Sequence, residues 1–205
     1  MKKRYLWLLL LPFLISSCKA PQPYSFVQGF QDLQLLDTQF NASFKHERLN
    51  GTIIPLDKID IFLAELDKFQ GNVEKTQDSR DKEALFLFLD IRRDMLLSQK
   101  NYHLAENIGD IGLVTDQKGF HCAEAKYLLD TVYYFNLSFI HGRRALFDLD
   151  DLLYKYQDVQ QLQELVGLNQ NKTAFYKSPL DHLKNIIRDN TDTLAKNCRI
   201  KVVTN

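Results

Sequence analysis

Residues 83–109, EALFLFLDIRRDMLLSQKNYHLAENIG, constrain the fold more than any other stretch of this chain. On a helical wheel Glu83, Asp90, Asp94 and Asn101 form one narrow polar stripe, and apolar side chains cover most of the remaining circumference. A helix wetted along so thin a line belongs in the middle of a bundle, where neighbours cover its other faces. ALFLFL alone would also suit a strand, but it is continuous with the helical pattern and no turn signal flanks it.

The rest of the chain supplies the neighbours. Phe26, Phe30, Leu33, Phe40 and Phe44 share one side of a wheel over residues 24–45. His46 to Ile54, with Asn50-Gly51, reads as a loop. Pro55 suits a first helical turn, Leu56, Ile59, Phe62, Leu63, Leu66 and Phe69 follow at helical spacing, and Gly71 is the expected end. The glycine-bearing segment 109–119 is a connection. From about Phe120 a further helix places Cys122, Ala125, Leu128, Val132, Phe135 and Phe139 on one side, with Gly142 expected to kink or break it before Ala145–Tyr156. Residues 157–166 predict a short helix closed by Gly167, and residues 168–177 a loop. Ser178-Pro179 is a cap followed by a first-turn proline, opening a last helix to about Cys198 with Leu180, Leu183, Ile187 and Leu194 on its apolar face. No period-two pattern or 30–50-residue repeat recurs. The expectation is all-α: an irregular bundle of about six helices.

The first residues concern location. Lys2, Lys3 and Arg4 precede eleven apolar-run residues, Tyr5 to Ile15, and then Ser16-Ser17, the layout of a secretory signal peptide. As a helix, Tyr5 to Ser17 reaches only about 20 Å, against about 30 Å of bilayer hydrocarbon. Ile15-Ser16-Ser17-Cys18 resembles the lipobox of bacterial and archaeal lipoproteins, although Ile stands where Leu is commonest. That resemblance implies a lipid on the Cys18 thiol, with Cys18 as the first residue after cleavage; ordinary cleavage, for instance after Ala20, is the alternative. Stable attachment needs two acyl chains, because one is marginal. The expected division is 1–17 signal peptide, 18–23 tether carrying Pro21 and Pro23, and 24–205 a single helical domain.

Loss of Lys2, Lys3 and Arg4 leaves 23 basic residues against 26 acidic, with no basic tract to follow a phosphate backbone, so nucleic acid is not an expected partner. Cys122 and Cys198 remain. In an exported chain an even count predicts a disulfide. The wheel puts Cys122 at the start of one helix and Cys198 at the end of another, both facing inward, so antiparallel packing joins them. Closing about 77 residues stabilises the fold by roughly 4 kcal/mol in the chain-entropy account. Free or metal-binding thiols are the alternative, although neither cysteine lies in a CxxC or CxxH pair. Asn41, Asn50, Asn136 and Asn171 head N-x-[ST] sequons; Asn136 falls in the apolar face and is expected to stay unmodified, leaving Asn41, Asn50 and Asn171 as possible glycosylation sites.

Chemistry-bearing patterns are few. Nucleotide-binding, nucleophile-elbow, HExxH and EF-hand motifs are absent, no cofactor or metal is implied, and no catalytic residue is assigned. Arg92 lies almost opposite the polar stripe, between Leu85, Phe88, Leu89 and Leu96. A guanidinium placed there must be paired and hydrogen-bonded. The expected partner is Glu124, in an ion pair fixing helix register, with a clamp for a ligand carboxylate or phosphate, or simple snorkelling to water, as the other readings. His121, Cys122 and Glu124, with His103 or His182, form a metal set unsupported by spacing and incompatible with an oxidised Cys122. Tyr127, Tyr133, Tyr134, Phe135, Phe139, Phe147, Tyr154 and Tyr156 are expected mainly as core and rim, with a ligand groove as the alternative.

Together with the lipobox-like start, DIRRDMLLSQKNYHLAENIGD and GFHCAEAKYLLDTVYYFNLS resemble uncharacterised surface lipoproteins of archaeal type over about half the chain. The resemblance implies an extracytoplasmic location and no particular activity. Two functions are expected: a lipid-anchored module engaging an unknown envelope protein, or itself, through a helix face, and a solute- or lipid-binding lipoprotein with a pocket between helices. An enzyme using Arg92, Glu124 and a histidine is a weaker third.

Overall fold

The computed structural model describes residues 23–48, 56–108, 122, 125–166 and 170–202. The leader, Cys18, the Asn50 sequon, His121 and Glu124 lie outside these residues, as do the side chains of Asn41 and Asn171. Among the described residues the elements are six helices and no strand: α1 Phe26–Arg48, α2 Leu56–Glu74, α3 Arg80–Ile108, α4 Ala125–Lys155, α5 Leu162–Val166 and α6 Gln170–Cys198.

The helix starts are set by side chains that satisfy first-turn N–H groups. Ser25 Oγ accepts from the Gln28 N–H at 3.2 Å, and Asp81 Oδ2, from the first turn of α3, accepts from the Phe26 N–H at 2.8 Å. Ser79 Oγ caps α3 through the Lys82 N–H at 3.1 Å. Asp81 and Glu83 in that first turn suit its positive end. At the other end of α4, the Arg80 guanidinium donates to the Lys155 carbonyl and lies 4.3 Å from the centre of the Tyr156 ring. The start of α3 is thereby tied to the end of α4.

As its wheel requires, α3 sits in the middle, packed against α1, α2 and, along most of its length, α4. The polar stripe is only half wet. Glu83 and Asp90 are exposed, whereas Asp94 and Asn101 are buried. Asn101 Nδ2 donates to the Leu97 carbonyl at 2.8 Å, and Asp94 Oδ1 meets His141 Nδ1 of α4 at 2.7 Å. At the α3–α4 crossing Ser98 Oγ donates to the Ser138 carbonyl and Ser138 Oγ to the Ser98 carbonyl, both at 2.8 Å. Two small side chains let the backbones approach and then link them.

Buried apolar residues fall into two clusters. One joins α1, α2, the first half of α3, the second half of α4 and α5, around Phe26, Leu33, Ile59, Leu66, Leu89 and Leu152. The other joins the end of α3, the first half of α4 and α6, around Leu128, Phe135, Leu183 and Leu194. The Cys122–Cys198 disulfide closes the second cluster with Cα atoms 5.5 Å apart. It links Cys122, three residues before α4 begins, to the last residue of α6, the antiparallel relation read from the sequence. The bond lies at the rim and not inside, with Cys122 exposed and Cys198 half-buried. Beyond it Arg199 adopts a left-handed backbone (φ 57°), the Ile200 N–H returns to the Leu194 carbonyl at 3.2 Å, and Ile200 and Val202 pack on the cluster.

Several expected boundaries differ. Gly142 does not break α4, which is one helix of 31 residues; it is where α6 comes close, since a Cβ there would lie 2.7 Å from Leu180 Cδ2. Residues 170–177, expected as part of a loop, belong to α6, which carries Pro179 in its interior. Gly71 does not end α2, which runs three residues further to Glu74, and the short α5 begins only at Leu162.

Candidate functional site

A cleft of about 360 Å³ opens between α3, α4 and α6, at the seam of the two clusters. Ile91 and Met95 come from α3, Ala145 and Leu149 from α4, and Leu180 and Leu183 from α6. The space exists because of what stands at the crossing. Gly142 contributes no side chain, and Ser98 and Ser138 are short. The two serine hydroxyls donate to each other's carbonyls, so the cleft meets them with their protons already engaged. The interior is therefore chemically apolar. Gln99 and His182 are its side-chain polar groups without a partner among the described residues, and His182 is exposed. Tyr102 completes the lining; burial first, and the neighbouring Glu106 carboxylate second, push its phenol above the usual range, so it stays protonated.

The polar groups singled out from the sequence do not converge on this cleft. Arg92 does meet a carboxylate from another helix, and that carboxylate is Asp37 of α1, with Nη2 and Oδ1 2.5 Å apart. Glu124, the expected partner, lies outside the described residues. The surroundings are also wetter than the wheel implied: Arg92 and Asp37 retain about a quarter of their side-chain exposure, although Arg92 Nε is buried with no partner among the described residues. Its neighbour Arg93 bridges Asp90 at 2.6 Å, Asp67 at 2.8 Å and Gln70 at 2.8 Å, pinning α3 to α2. Neither arginine lines the cleft.

The cluster Asp94, His141, Arg144 and Asp148 was not foreseen. Arg144 Nη1 lies 3.8 Å from Asp94 Oδ1, and burial, then the charges of Asp94 and Asp90, raise the Asp148 pKa despite Arg144. Lys82 was missed as well. It is buried, and its ammonium donates to the Glu74 and Thr76 carbonyls and to Asp78 Oδ1 at 2.8–2.9 Å. All three protons are used, and the charge sits at the negative end of α2. The first is a packing device formed between α3 and α4, without a local sequence pattern; the second closes the α2–α3 turn through partners four to eight residues away.

The aromatic residues of α4, and Tyr156 just beyond it, split. Phe135 is buried, and Tyr134, Phe139 and Tyr156 are half-buried, as core and rim require. Tyr127, Tyr133, Phe147 and Tyr154 face solvent, contrary to that expectation. Asn136 is half-buried beside Phe139 and Ile187. Among the described residues no group of three or more histidine, cysteine or acidic side chains is placed to hold a metal ion, and no helix is long and apolar enough to cross a membrane.

Comparison with known protein families, characterised proteins and solved structures returns no match.

Proposed function

We propose that this chain is a lipid-tethered, extracytoplasmic helical module that takes a small, largely apolar molecule into the cleft between α3, α4 and α6. The cleft itself carries this reading. Its volume lies at the lower end of the range for small-molecule sites, about 300–1,000 Å³. Its lining excludes ions, while Gln99 and His182 offer hydrogen bonds to one polar group of a ligand. The location rests on the lipobox-like segment ending at Cys18, and the disulfide supports it, because such bonds persist in oxidising compartments.

The test uses N-phenyl-1-naphthylamine, an uncharged fluorescent arylamine, as a small apolar probe. The expected result is saturable binding of one equivalent, weakened at least tenfold by Ala145→Phe, which fills the cleft, and several-fold by Gly142→Ala, whose Cβ presses on Leu180. Equal binding by both variants and the unaltered chain, with unchanged helical circular dichroism, refutes the cleft. Metabolic lipid labelling that survives Cys18→Ala refutes the anchor separately.

A further inference from the structure

We infer that a second copy of this chain docks, antiparallel, on the outward face of α4, with Phe147 at the two-fold axis. The inference is independent of the cleft.

Ile140, Phe147 and Tyr154 recur every seven residues, drifting only about 20° per step around the helix, and so form one line. Phe147 is 67% and Tyr154 78% exposed, while Ile140 is half-buried. The opposite side of α4 is buried at Ser138, Ala145, Leu149 and Leu152, so the line is the free face of a helix otherwise engaged.

The charges beside the line name the occupant. Arg143 and Arg144 lie one turn before Phe147, and Asp150 and Asp151 one turn after it. Arg143 and Asp150 fall on one flank of the line, Arg144 and Asp151 on the other. When two such helices meet antiparallel about Phe147, Arg143 faces the partner's Asp150 and Arg144 faces the partner's Asp151, twice each by symmetry. Ile140 then faces the partner's Tyr154. A parallel pairing would set arginine on arginine and aspartate on aspartate. The arrangement is self-complementary only when reversed, the property a two-fold interface requires.

Two of the four groups are free, and the other two keep capacity for a partner. Arg143 and Asp150 are exposed and make no ion pair or hydrogen bond among the described residues. Arg144 is 59% exposed and only 3.8 Å from Asp94. Asp151 Oδ2 is held by Lys155 at 2.5 Å, which leaves Oδ1 for the partner. The face is short, so the contact belongs with small, weak interfaces, below about 1,200 Å² in total.

Two experiments on the full chain test this. Helix axes in contact lie about 8–10 Å apart, so a cysteine on the axis should cross-link to itself. Phe147→Cys treated with a short bis-maleimide is expected to give a covalent dimer, and Tyr127→Cys, equally exposed but off the line, is not. In sedimentation velocity, Arg143→Glu with Arg144→Glu makes the face wholly acidic, and Asp150→Lys with Asp151→Lys makes it wholly basic. Each should weaken self-association at least tenfold, and an equimolar mixture should restore it. No covalent dimer from Phe147→Cys, its cross-linking to a different envelope protein instead, or a mixture no stronger than its components overturns the inference.

Discussion

The two apolar clusters are held by different means. The first buries seventeen apolar residues among those described, and charged side chains join its helices: Arg92 to Asp37, Arg93 to Asp67, and Lys82 into the α2–α3 turn. The second buries eight, and a covalent bond closes its far end. Buried apolar area scales with the number of side chains enclosed, so the smaller cluster has less to set against the entropy of ordering α6. The disulfide removes part of that entropy from the unfolded chain. In the larger cluster, area is sufficient and polar groups set helix register.

This contrast can be broken most directly at the disulfide. Replacing both Cys122 and Cys198 by Ala is expected to lower unfolding free energy by about 4 kcal/mol in denaturant titration. Amide exchange should rise first in α6 and at the start of α4, with α1 and α2 still protected. Uniform loss of protection across both clusters would mean that they are one cooperative unit and that the division is only geometric.

Lys82→Met should cost about 2 kcal/mol, since it strands two carbonyls at the end of α2 while keeping the apolar stem. The loss belongs to the first cluster, so α2 should exchange faster and α6 should not. Arg92→Leu is expected to cost less, about 1–2 kcal/mol, because Asp37 keeps enough exposure to be hydrated once unpaired. A stabilised Arg92→Leu protein would show that the pair serves register and opposes stability.

The smallest effect concerns pH. Asp148 has a folded pKa raised by burial and by Asp94 and Asp90. A carboxyl raised in this way contributes its stability below the unfolded pKa of about 4, and that contribution is lost as pH rises through the folded value. Asp148→Asn should therefore raise the thermal midpoint slightly at pH 7 and leave it unchanged at pH 3. A larger gain at pH 3 than at pH 7 would contradict the assigned sign.

Legibility followed the range of each interaction. The thin polar stripe of α3 identified a central helix, because every residue that decides it lies within 29 positions. Cys122 and Cys198 were paired because two wheels placed them at opposite ends of antiparallel helices. The need of Arg92 for a carboxylate was readable, since burial of its apolar neighbours follows from spacing. Its partner was not: choosing Asp37 requires the rotation of α1 against α3. Gly142 misled for a related reason. A glycine in a helix signals either a break or a close neighbour, and only the position of α6 distinguishes them. The cleft had no sequence signal of its own, since it is the space left where Gly142, Ser98 and Ser138 meet a helix that crosses them.

By itself, the sequence determined that this chain is helical, which helix is central, and which two cysteines can bond, because periodicity and local propensity act within a few turns. The tertiary structure decided which carboxylate receives Arg92, where the cleft opens, and that Phe147 and Tyr154 remain outside. Those outcomes depend on how helices distant in sequence are rotated and spaced against one another, and wheel positions fix neither.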